Sequence, residues 1–268
     1  MRSFTKKLIG FTLIALILFY LGLTILAHAF AEKIIFQPQS SSYRDTNRII
    51  KLNSANGAEI SAVYLSSPEA RYTILFGHGN AEDIGTTLPT LEKLKAAGFS
   101  VFAFDYQGYG TSSGVPSEAN ACADAEAAYN YLVSDLKVPA NRIIAHGRSL
   151  GGAVALDLAS KRPVGGLIIE STFATAYRVM TGIPLLPLDK LKSLSKIKKV
   201  RCPVLVIHGT RDEVIPLWHG EKLFEEANEP KTFLRVKDAK HNNLMRTAGS
   251  DYEKALQDFA SSIEKTGK

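Results

Sequence analysis

Short apolar runs alternate with helical stretches along most of this chain, and that alternation limits the folds it can adopt more than any other feature. Each run is nearly continuous rather than alternating in polarity, as expected of a strand buried on both faces of a sheet. The runs are Tyr72–Phe76, Ser100–Asp105, Arg142–Ala145, Leu167–Ile169, Val204–Ile207 and Thr232–Val236. The helical stretches are Leu88–Ala97, Glu118–Val133, Leu150–Ser160, Leu217–Ala227 and Tyr252–Ile263. This order predicts an α/β fold with a mostly parallel central sheet and helices on both faces.

An antiparallel hairpin precedes this alternation. Arg48–Asn53 and Glu59–Leu65 flank Asn56-Gly57, which is a strong hairpin-turn signal. Hydrophobic residues make up 46% of the chain, enough apolar surface to offset the conformational entropy lost on folding. We therefore expect residues 46–268 to form one α/β domain, joined by an extended tether, residues 32–45, to the N-terminal segment.

The N-terminal segment has the composition of a membrane-spanning helix. Leu8–Ala31 contains 24 residues without a charge, and a helix of that length spans about 36 Å, against about 30 Å for a hydrocarbon core. Arg2, Lys6 and Lys7 precede it, so the positive-inside tendency places the N-terminus in the cytoplasm and the domain across the membrane. We expect residues 1–31 to be a retained signal anchor and transmembrane helix of a single-pass protein.

A cleaved signal peptide is the alternative interpretation of this segment. Ala27-His28-Ala29 and Ala29-Phe30-Ala31 both have the small-x-small form of a cleavage site, although the apolar run exceeds the roughly 7–15 residues of an ordinary signal peptide. Cleavage would give a secreted or periplasmic protein. Both interpretations put the domain outside the cytoplasm.

The formal net charge of +6 is concentrated in two clusters. Between Lys190 and Arg201 the chain carries six basic residues and no acid, and the N-terminal cluster supplies three more. Basicity in two short clusters, without a recognisable nucleic-acid-binding module, argues against nucleic acid as a partner. The 190–201 cluster is either solvated or faces anionic lipid head groups.

The sequence Gly147-Arg148-Ser149-Leu150-Gly151 lies between a predicted strand and a predicted helix. The G-x-S-x-G pattern alone is weak, but in a strand–turn–helix context it predicts a sharp, strained turn that exposes a serine hydroxyl. Glycines on either side allow strand and helix to approach closely. We expect Ser149 to be a nucleophile; an ordinary glycine-rich turn is the alternative.

A serine nucleophile needs a base and an acid that orients the base, in the chain order serine, acid, histidine for this kind of turn. Asp212 follows the run Val204–Ile207, and His241 follows the run Thr232–Val236. Since parallel strands place their carboxyl ends at one edge of a sheet, these side chains are expected to meet Ser149 there. Glu170 and Asp105 also end strands and are the competing candidates for the acid.

Two backbone N–H groups are expected to receive the negative charge that develops on a carbonyl oxygen attacked by Ser149. One belongs to Leu150, directly after the nucleophile, and the other we place at Asn80 in the glycine-rich loop that follows Tyr72–Phe76. No histidine or cysteine pair has the spacing of a metal site, so neither a metal nor an organic cofactor is expected.

With these motifs together the chain resembles the α/β-hydrolase superfamily of serine hydrolases. It looks similar to the membrane-anchored branch with eukaryotic protein depalmitoylases and lysophospholipid or monoacylglycerol lipases, although it has a hydrophobic helix where the depalmitoylases have a cysteine-rich N-terminus. The resemblance is carried by HGNAEDIG at 78–85, FDYQGYGTSSG at 104–114, GRSLGG at 147–152, CPVLVIHGTRDEVIP at 202–216 and HN at 241–242. It implies the α/β-hydrolase fold, a triad of Ser149, Asp212 and His241, and esterase, thioesterase or lipase chemistry.

The expected function is therefore hydrolysis of a small-molecule or lipid ester or thioester near a membrane. Thr172–Val200 fits the strand–helix alternation poorly and is expected to be a lid-like insertion that forms a wall for an acyl chain, or else an ordinary crossover with exposed leucines. Its apolar residues are Met180, Ile183, Leu185, Leu186 and Leu188. A peptidase of the prolyl-oligopeptidase type and a non-catalytic binding protein on the same fold remain alternatives.

Overall fold

The computed structural model describes residues 2–181 and 189–266. Its strands are β1 (Ile49–Asn53), β2 (Glu59–Leu65), β3 (Thr73–Gly77), β4 (Ser100–Phe104), β5 (Ile143–Arg148), β6 (Gly166–Glu170), β7 (Val204–Gly209) and β8 (Lys231–Val236). Its α-helices are α1 (Arg2–Ile35), α2 (Ile84–Ala96), α3 (Glu118–Ser134), α4 (Leu150–Lys161), α5 (Ala176–Thr181), α6 (Ser193–Ile197), α7 (Trp218–Glu226), α8 (Leu244–Ala248) and α9 (Ser250–Thr266).

The strands of the described residues form one eight-stranded sheet in the order β1-β2-β4-β3-β5-β6-β7-β8. The β1–β2 and β2–β4 pairs are antiparallel, and the remaining neighbours are parallel. The predicted hairpin turn is present, with Gly57 at a φ of 78° and its N–H donating to Ser54 O at 2.9 Å. The mostly parallel sheet with helices on both faces is confirmed, and it is the α/β-hydrolase fold.

Two apolar layers cover the sheet. Residues of α3, α4 and α7 pack on one face, and residues of α2, α8 and α9 pack on the other. Helix α4 is buried from Leu150 to Ala159, which explains why its sequence is apolar throughout instead of showing a helical stripe. Each fully buried side chain of leucine or isoleucine size, such as Leu156 or Ile144 at 0% exposed, contributes about 1.5–3 kcal/mol by removal from water.

The last strand departs from the expectation of burial on both faces. In β8 only Val236 is buried, and Thr232 and Arg235 are exposed. The reason is its position, because within the described residues β8 pairs with β7 alone and ends the sheet. Strand β5, in contrast, runs three residues beyond its predicted end, since His146, Gly147 and Arg148 continue the parallel register with β6.

The N-terminal helix is longer than the predicted anchor. The extended tether was expected to begin at residue 32, but α1 continues to Ile35, and the Phe36 N–H still donates to Glu32 O at 2.8 Å. The helix persists because Phe36, 3% exposed, is buried in the core of the domain. Within residues 2–181 and 189–266, Ile9–Ile35 is the one helix long and apolar enough to cross a membrane.

The Thr172–Val200 insertion is described only in part. Ile183, Leu185, Leu186 and Leu188 lie outside the described residues, and so does the side chain of Met180. On either side of the gap the chain forms the short helices α5 and α6, which the sequence pattern did not predict.

The basic cluster that follows is partly neutralised. Lys190 pairs with Glu32 at 2.9 Å, Lys196 with Asp157 at 2.6 Å, and Lys198 with Glu226 at 2.7 Å. These three ion pairs join the cluster to other parts of the fold. Half of the six basic residues in the cluster are therefore paired with acids distant in sequence.

Candidate active site

Ser149 is the single residue between β5 and α4, and its backbone is strained. Its φ of 54° and ψ of −116° are unusual for a residue with a side chain, and such a conformation costs about 1–3 kcal/mol. The turn can close because Gly147 and Gly151 lack side chains; a Cβ on Gly147 would overlap the backbone of Gly151, and one on Gly151 would overlap that of Gly77. The turn therefore holds Ser149, which is half-buried, at the carboxyl edge of the sheet.

Three hydrogen bonds hold this turn in place. The Ser149 N–H donates to Glu170 O at 2.8 Å, and Ser149 O accepts from Gly152 N at 3.0 Å and from Thr172 Oγ1 at 2.7 Å. The strained conformation is thus fixed by the strand on one side and by the helix on the other. A hydroxyl held in this way has little orientational freedom left to lose on contact with a ligand.

The structure brings Ser149, His241 and Asp212 together in one chain of hydrogen bonds. His241 Nδ1 lies 2.9 Å from Asp212 Oδ2, and His241 Nε2 lies 3.2 Å from Ser149 Oγ. Because an ionised carboxylate only accepts hydrogen bonds, the proton belongs on Nδ1, which leaves Nε2 free to accept the hydroxyl proton of Ser149. His241 is 7% exposed and Asp212 6% exposed, so water competes little for these contacts.

The Asp212 carboxylate is held by its own loop. Its Oδ1 accepts the backbone N–H groups of Val214 at 3.0 Å and Ile215 at 2.8 Å. Burial acts to raise the pKa of Asp212, but the hydrogen bonds from His241 and the Ile215 N–H outweigh it and hold that pKa below its usual range. Asp212 is therefore ionised at neutral pH and able to orient His241.

The two competing acids have other partners. Glu170 Oε2 accepts the Tyr252 hydroxyl at 2.7 Å and lies 3.6 Å from His146 Nε2. Asp105 lies 3.3 Å from His78 Nε2. Since both ring nitrogens of His241 already face Asp212 and Ser149, each of the other acids serves a different buried histidine.

The loop expected to supply one oxyanion donor passes beside Ser149. A Cβ built on Gly79 would lie 3.6 Å from Ser149 Cβ, so the chain at Gly79 and Asn80 runs beside the serine. Leu150 begins α4 directly after Ser149, and its N–H is one of the first-turn groups that a helix leaves without an internal partner. Both N–H groups therefore lie in segments adjacent to the hydroxyl.

Sequence reasoning missed a second set of polar residues around Ser149. Glu82 Oε2 accepts the Gly79 N–H at 2.7 Å, and Glu82 Oε1 accepts from Arg148 Nη1. Arg148 Nη2 donates to Asn242 Oδ1 at 2.7 Å. This network joins the loop at Gly79, the turn at Ser149 and the loop at His241. The sequence did offer one signal for this network, because a polar residue lies beside each motif. The G-x-S-x-G pattern hides it, since the pattern allows any residue at the position of Arg148.

Comparison with known proteins gives the chain a family. A family model described as "Serine aminopeptidase, S33" matches residues 68–196. The chain is 36% identical over 211 residues to alpha/beta hydrolase domain-containing protein 17B of Xenopus tropicalis, a match that spans 76% of this chain and 73% of that protein. It is 39% identical over 183 residues to alpha/beta hydrolase domain-containing protein aho-3 of Caenorhabditis elegans, a match that covers 66% of this chain but only 54% of that relative.

Solved structures share the fold at lower identity. An esterase from Pyrococcus furiosus, Pf2001, superposes with a TM-score of 0.73 at 17% identity, covering 84% of this chain and 98% of that one. A monoacylglycerol lipase from Paleococcus ferrophilus gives a TM-score of 0.62 at 21% identity, covering 76% and 99%. These solved structures show the fold. The relative 17B, 36% identical and matched over 73% of its length, shows that the chain belongs to the α/β-hydrolase family, among the relatives of alpha/beta hydrolase domain-containing protein 17.

Proposed function

We propose that this protein is a membrane-anchored serine hydrolase that cleaves carboxylic esters or thioesters through an acyl-enzyme on Ser149. The observation that carries the proposal is the hydrogen-bonded series Ser149 Oγ, His241 Nε2, His241 Nδ1, Asp212 Oδ2, with distances of 3.2 Å and 2.9 Å. A nucleophile, a base and an orienting acid at these distances are what acyl transfer requires. The strained turn at Ser149 supports the same assignment.

The proposed reaction has two halves. In the first, Ser149 Oγ bonds to the substrate carbonyl carbon while His241 Nε2 takes the hydroxyl proton, and the carbonyl oxygen becomes an oxyanion that accepts the N–H groups of Asn80 and Leu150. His241 then gives that proton to the leaving alcohol or thiol as its bond to the carbonyl carbon breaks. In the second half water attacks the acyl-enzyme, His241 takes its proton, and Ser149 recovers the proton as the carboxylic acid leaves.

Asp212 stabilises the positive charge that His241 carries between these proton transfers. It is within hydrogen-bond distance of Nδ1 and ionised, so the imidazolium forms beside a full negative charge. In a site with little water the interaction is stronger than it would be in solution.

A peptidase is the second candidate, because the matching family model is described as a serine aminopeptidase. Esters and amides differ in the basicity of the leaving group, so the two activities separate with matched substrates. We expect a fluorophosphonate probe to label the wild-type chain and not Ser149→Ala. We further expect p-nitrophenyl esters to be hydrolysed far faster than the corresponding p-nitroanilides. The reverse preference would replace the esterase proposal with a peptidase.

We also propose that the substrate is a medium or long acyl ester presented at a membrane surface. The support is the apolar helix α1, which holds the domain beside a bilayer, and the apolar composition of residues 183–188. Each CH₂ group of an acyl chain buried against such residues adds about 0.8 kcal/mol of binding. We expect kcat/KM in mixed micelles to rise from acetyl through butyryl to octanoyl esters. A steady fall beyond butyryl would contradict a lipid-like substrate and leave the catalytic assignment intact.

A further inference from the structure

The chain that leaves α1 is packed against the rim of the candidate active site. Ala31 and Phe36 are 1% and 3% exposed, and Phe36 belongs to the apolar layer on the α3 and α4 face. Glu32 Oε1 pairs with Lys190 Nζ at 2.9 Å, and Glu32 Oε2 accepts the backbone N–H of Glu118, the first residue of α3, at 3.0 Å. The anchor therefore ends in fixed contact with the domain.

Gln37 connects this end of the anchor to the loop that carries Asn80. Its backbone N–H donates to Asn80 Oδ1 at 2.9 Å and also to the Tyr109 hydroxyl oxygen at 3.1 Å. The Tyr109 hydroxyl donates to the same Asn80 Oδ1 at 2.7 Å, and the Ala81 N–H donates to it at 3.0 Å. An amide oxygen has two lone pairs, so three donors saturate it and fix the orientation of the Asn80 side chain.

The loop needs such contacts because its backbone is strained. Ala81, directly after Asn80, has a φ of 59°, and a left-handed conformation at a residue with a side chain persists only where surrounding contacts hold it. Tyr109 is 1% exposed, and its ring lies 5.4 Å from that of His78. Burial raises the pKa of the Tyr109 hydroxyl well above its ordinary value, so the hydroxyl remains a proton donor to Asn80.

Two further contacts of this segment lie where the loop ends, one at Asp83 and one at Asp105, whose Oδ1 accepts the N–H of Ile84 at 2.8 Å. Ser42 N donates to Asp83 Oδ2 at 2.7 Å, and the Asp83 side chain also caps α2. The Tyr43 hydroxyl donates to Asp105 Oδ2 at 2.6 Å. The domain is shaped for this approach, because a Cβ on Gly85 would overlap Ser42 Oγ and lie 3.1 Å from Tyr43 Cβ.

We propose that residues 36–43, the junction segment, position the Asn80 N–H for the oxyanion, with Tyr109 and Tyr43 as positioning residues, so that the end of the membrane anchor is a working part of the active site. The inference rests on the proposed function, in which the Asn80 N–H receives the oxyanion. The junction segment lies between α1 and this loop, and its contacts bracket the loop at Asn80 and at Asp83. A displacement of the anchor would therefore reach the oxyanion donor directly.

The test uses the full-length chain in detergent micelles and three variants that each remove one hydroxyl. Tyr109→Phe removes a contact to Asn80 in the loop, and Tyr43→Phe removes the contact to Asp105, which accepts the N–H of Ile84 just after the loop. Tyr129→Phe is the matched control, because its hydroxyl donates to Pro163 O at 2.8 Å, on the way from α4 to β6 and away from the site. We measure kcat and KM for a soluble p-nitrophenyl ester, and the inhibition constant of phenylboronic acid, which forms a tetrahedral adduct with a nucleophilic serine.

For Tyr109→Phe we expect kcat to fall about 10-fold with KM within about 2-fold, and the boronate to bind about 10-fold more weakly. This is less than the roughly 10²–10³-fold that loss of an oxyanion donor costs, because the N–H remains but is held loosely. We expect a smaller loss in the same direction for Tyr43→Phe, and values within about 2-fold of wild type for the control.

Three results would overturn the inference. Wild-type kcat and boronate affinity in Tyr109→Phe would show that the contact does not position the donor. Equal losses in Tyr129→Phe, or a fall in kcat without a change in boronate affinity, would show a general structural effect. Failure of the proposed function is a separate outcome, because it requires wild-type turnover in Ser149→Ala.

Discussion

Arg148 forms an ion pair with Glu82 that joins the nucleophile turn to the loop beside it. The side chains are 18% and 24% exposed, so the pair is mostly shielded from solvent. The same guanidinium donates to Asn242 Oδ1 at 2.7 Å, next to His241, and Glu82 accepts the Gly79 N–H. One arginine therefore joins three loops that carry proposed catalytic groups.

Arg148→Lys is expected to lower kcat by about 10-fold to 10²-fold with little change in KM. An ammonium group is a single point of contact and cannot bridge Glu82 and Asn242 as the planar guanidinium does, and small misplacements of catalytic groups cost rates of this size. Steady-state kinetics with a soluble ester checks it. Arg162→Lys is the matched control, since its pair with Glu126 is on the surface; an equal loss in that variant would contradict the prediction.

Asp212→Asn is expected to reduce kcat by about 10⁴-fold, because an amide at this position favours the wrong tautomer of His241 and does not stabilise its charged form. Glu170→Gln and Asp105→Asn should lower the midpoint of thermal unfolding, since these acids contact His146 and His78. Their effect on kcat should be far smaller than that of Asp212→Asn. Comparison of kcat/KM for the three folded variants at one pH decides the matter. If Glu170→Gln is the inactive variant, Asp212 is the wrong acid.

The fold and the proximity of three side chains could both be predicted from the sequence, and for the same physical reason. Ser149, Asp212 and His241 each follow a strand, and parallel strands bring their carboxyl ends to one edge, so local patterns were sufficient. The network of Arg148 was not predictable in this way. Its partners Glu82 and Asn242 lie 66 and 94 positions away, and no periodicity in the sequence relates them.

The errors at the ends of elements have similar causes. Glu32 and Lys33 were expected to end the apolar helix, but Phe36 is buried in the domain and the helix continues to Ile35. Thr232–Val236 has the composition of a central strand, yet it ends the sheet of the described residues. Both outcomes depend on tertiary contacts that composition does not reveal. The roles of Asn80 and Leu150 as oxyanion donors stay predictions.

His219 is expected to make the stability of the protein depend on pH between about 6.5 and about 4. Burial lowers its pKa from 6.5 to about 4, and its Nδ1 accepts the Ala174 N–H at 3.1 Å, so the folded state needs the neutral ring. As pH falls through this range the unfolded chain takes up a proton before the folded one does. The free energy of unfolding should therefore fall as pH falls, with the full stabilisation present above pH 6.5.

Thermal unfolding of wild type and His219→Asn between pH 4 and pH 7 measures this contribution. Asparagine keeps an acceptor for the Ala174 N–H but does not titrate, so the wild-type curve should be steeper than that of the variant. The two curves are compared because other charged groups lie close to His219, namely His208, Asp212 and Arg178. Their own titrations are present in both proteins. Parallel curves would contradict the assignment.

The anchor is expected to remain on the mature protein, with the domain outside the cytoplasm. The apolar helix extends to Ile35, and the last small-x-small sequence ends at Ala31, which is 1% exposed against the domain. The mass of the detergent-extracted protein should be that of the uncleaved chain, and protease added to intact spheroplasts should digest the domain. A soluble species beginning near residue 30 or 32 would show a cleaved signal peptide instead.

The orientation of the protein across the membrane can be tested separately. Replacing Arg2, Lys6 and Lys7 together with glutamate removes the positive charges that precede the apolar run. Because these charges are expected to hold the N-terminus in the cytoplasm, the variant should show reduced digestion of the domain in spheroplasts. Unchanged digestion would mean that the charges do not set the orientation.

Ser149 as the nucleophile is the central assignment, and the turnover of a p-nitrophenyl ester by purified Ser149→Ala tests it most directly. Loss of the hydroxyl should reduce kcat by roughly 10⁶-fold. The midpoint of thermal unfolding should stay within about 2 °C of wild type, because the hydroxyl makes no contact on which the fold depends. Turnover at the wild-type rate by the folded variant would contradict the assignment of Ser149 and the mechanism built on it.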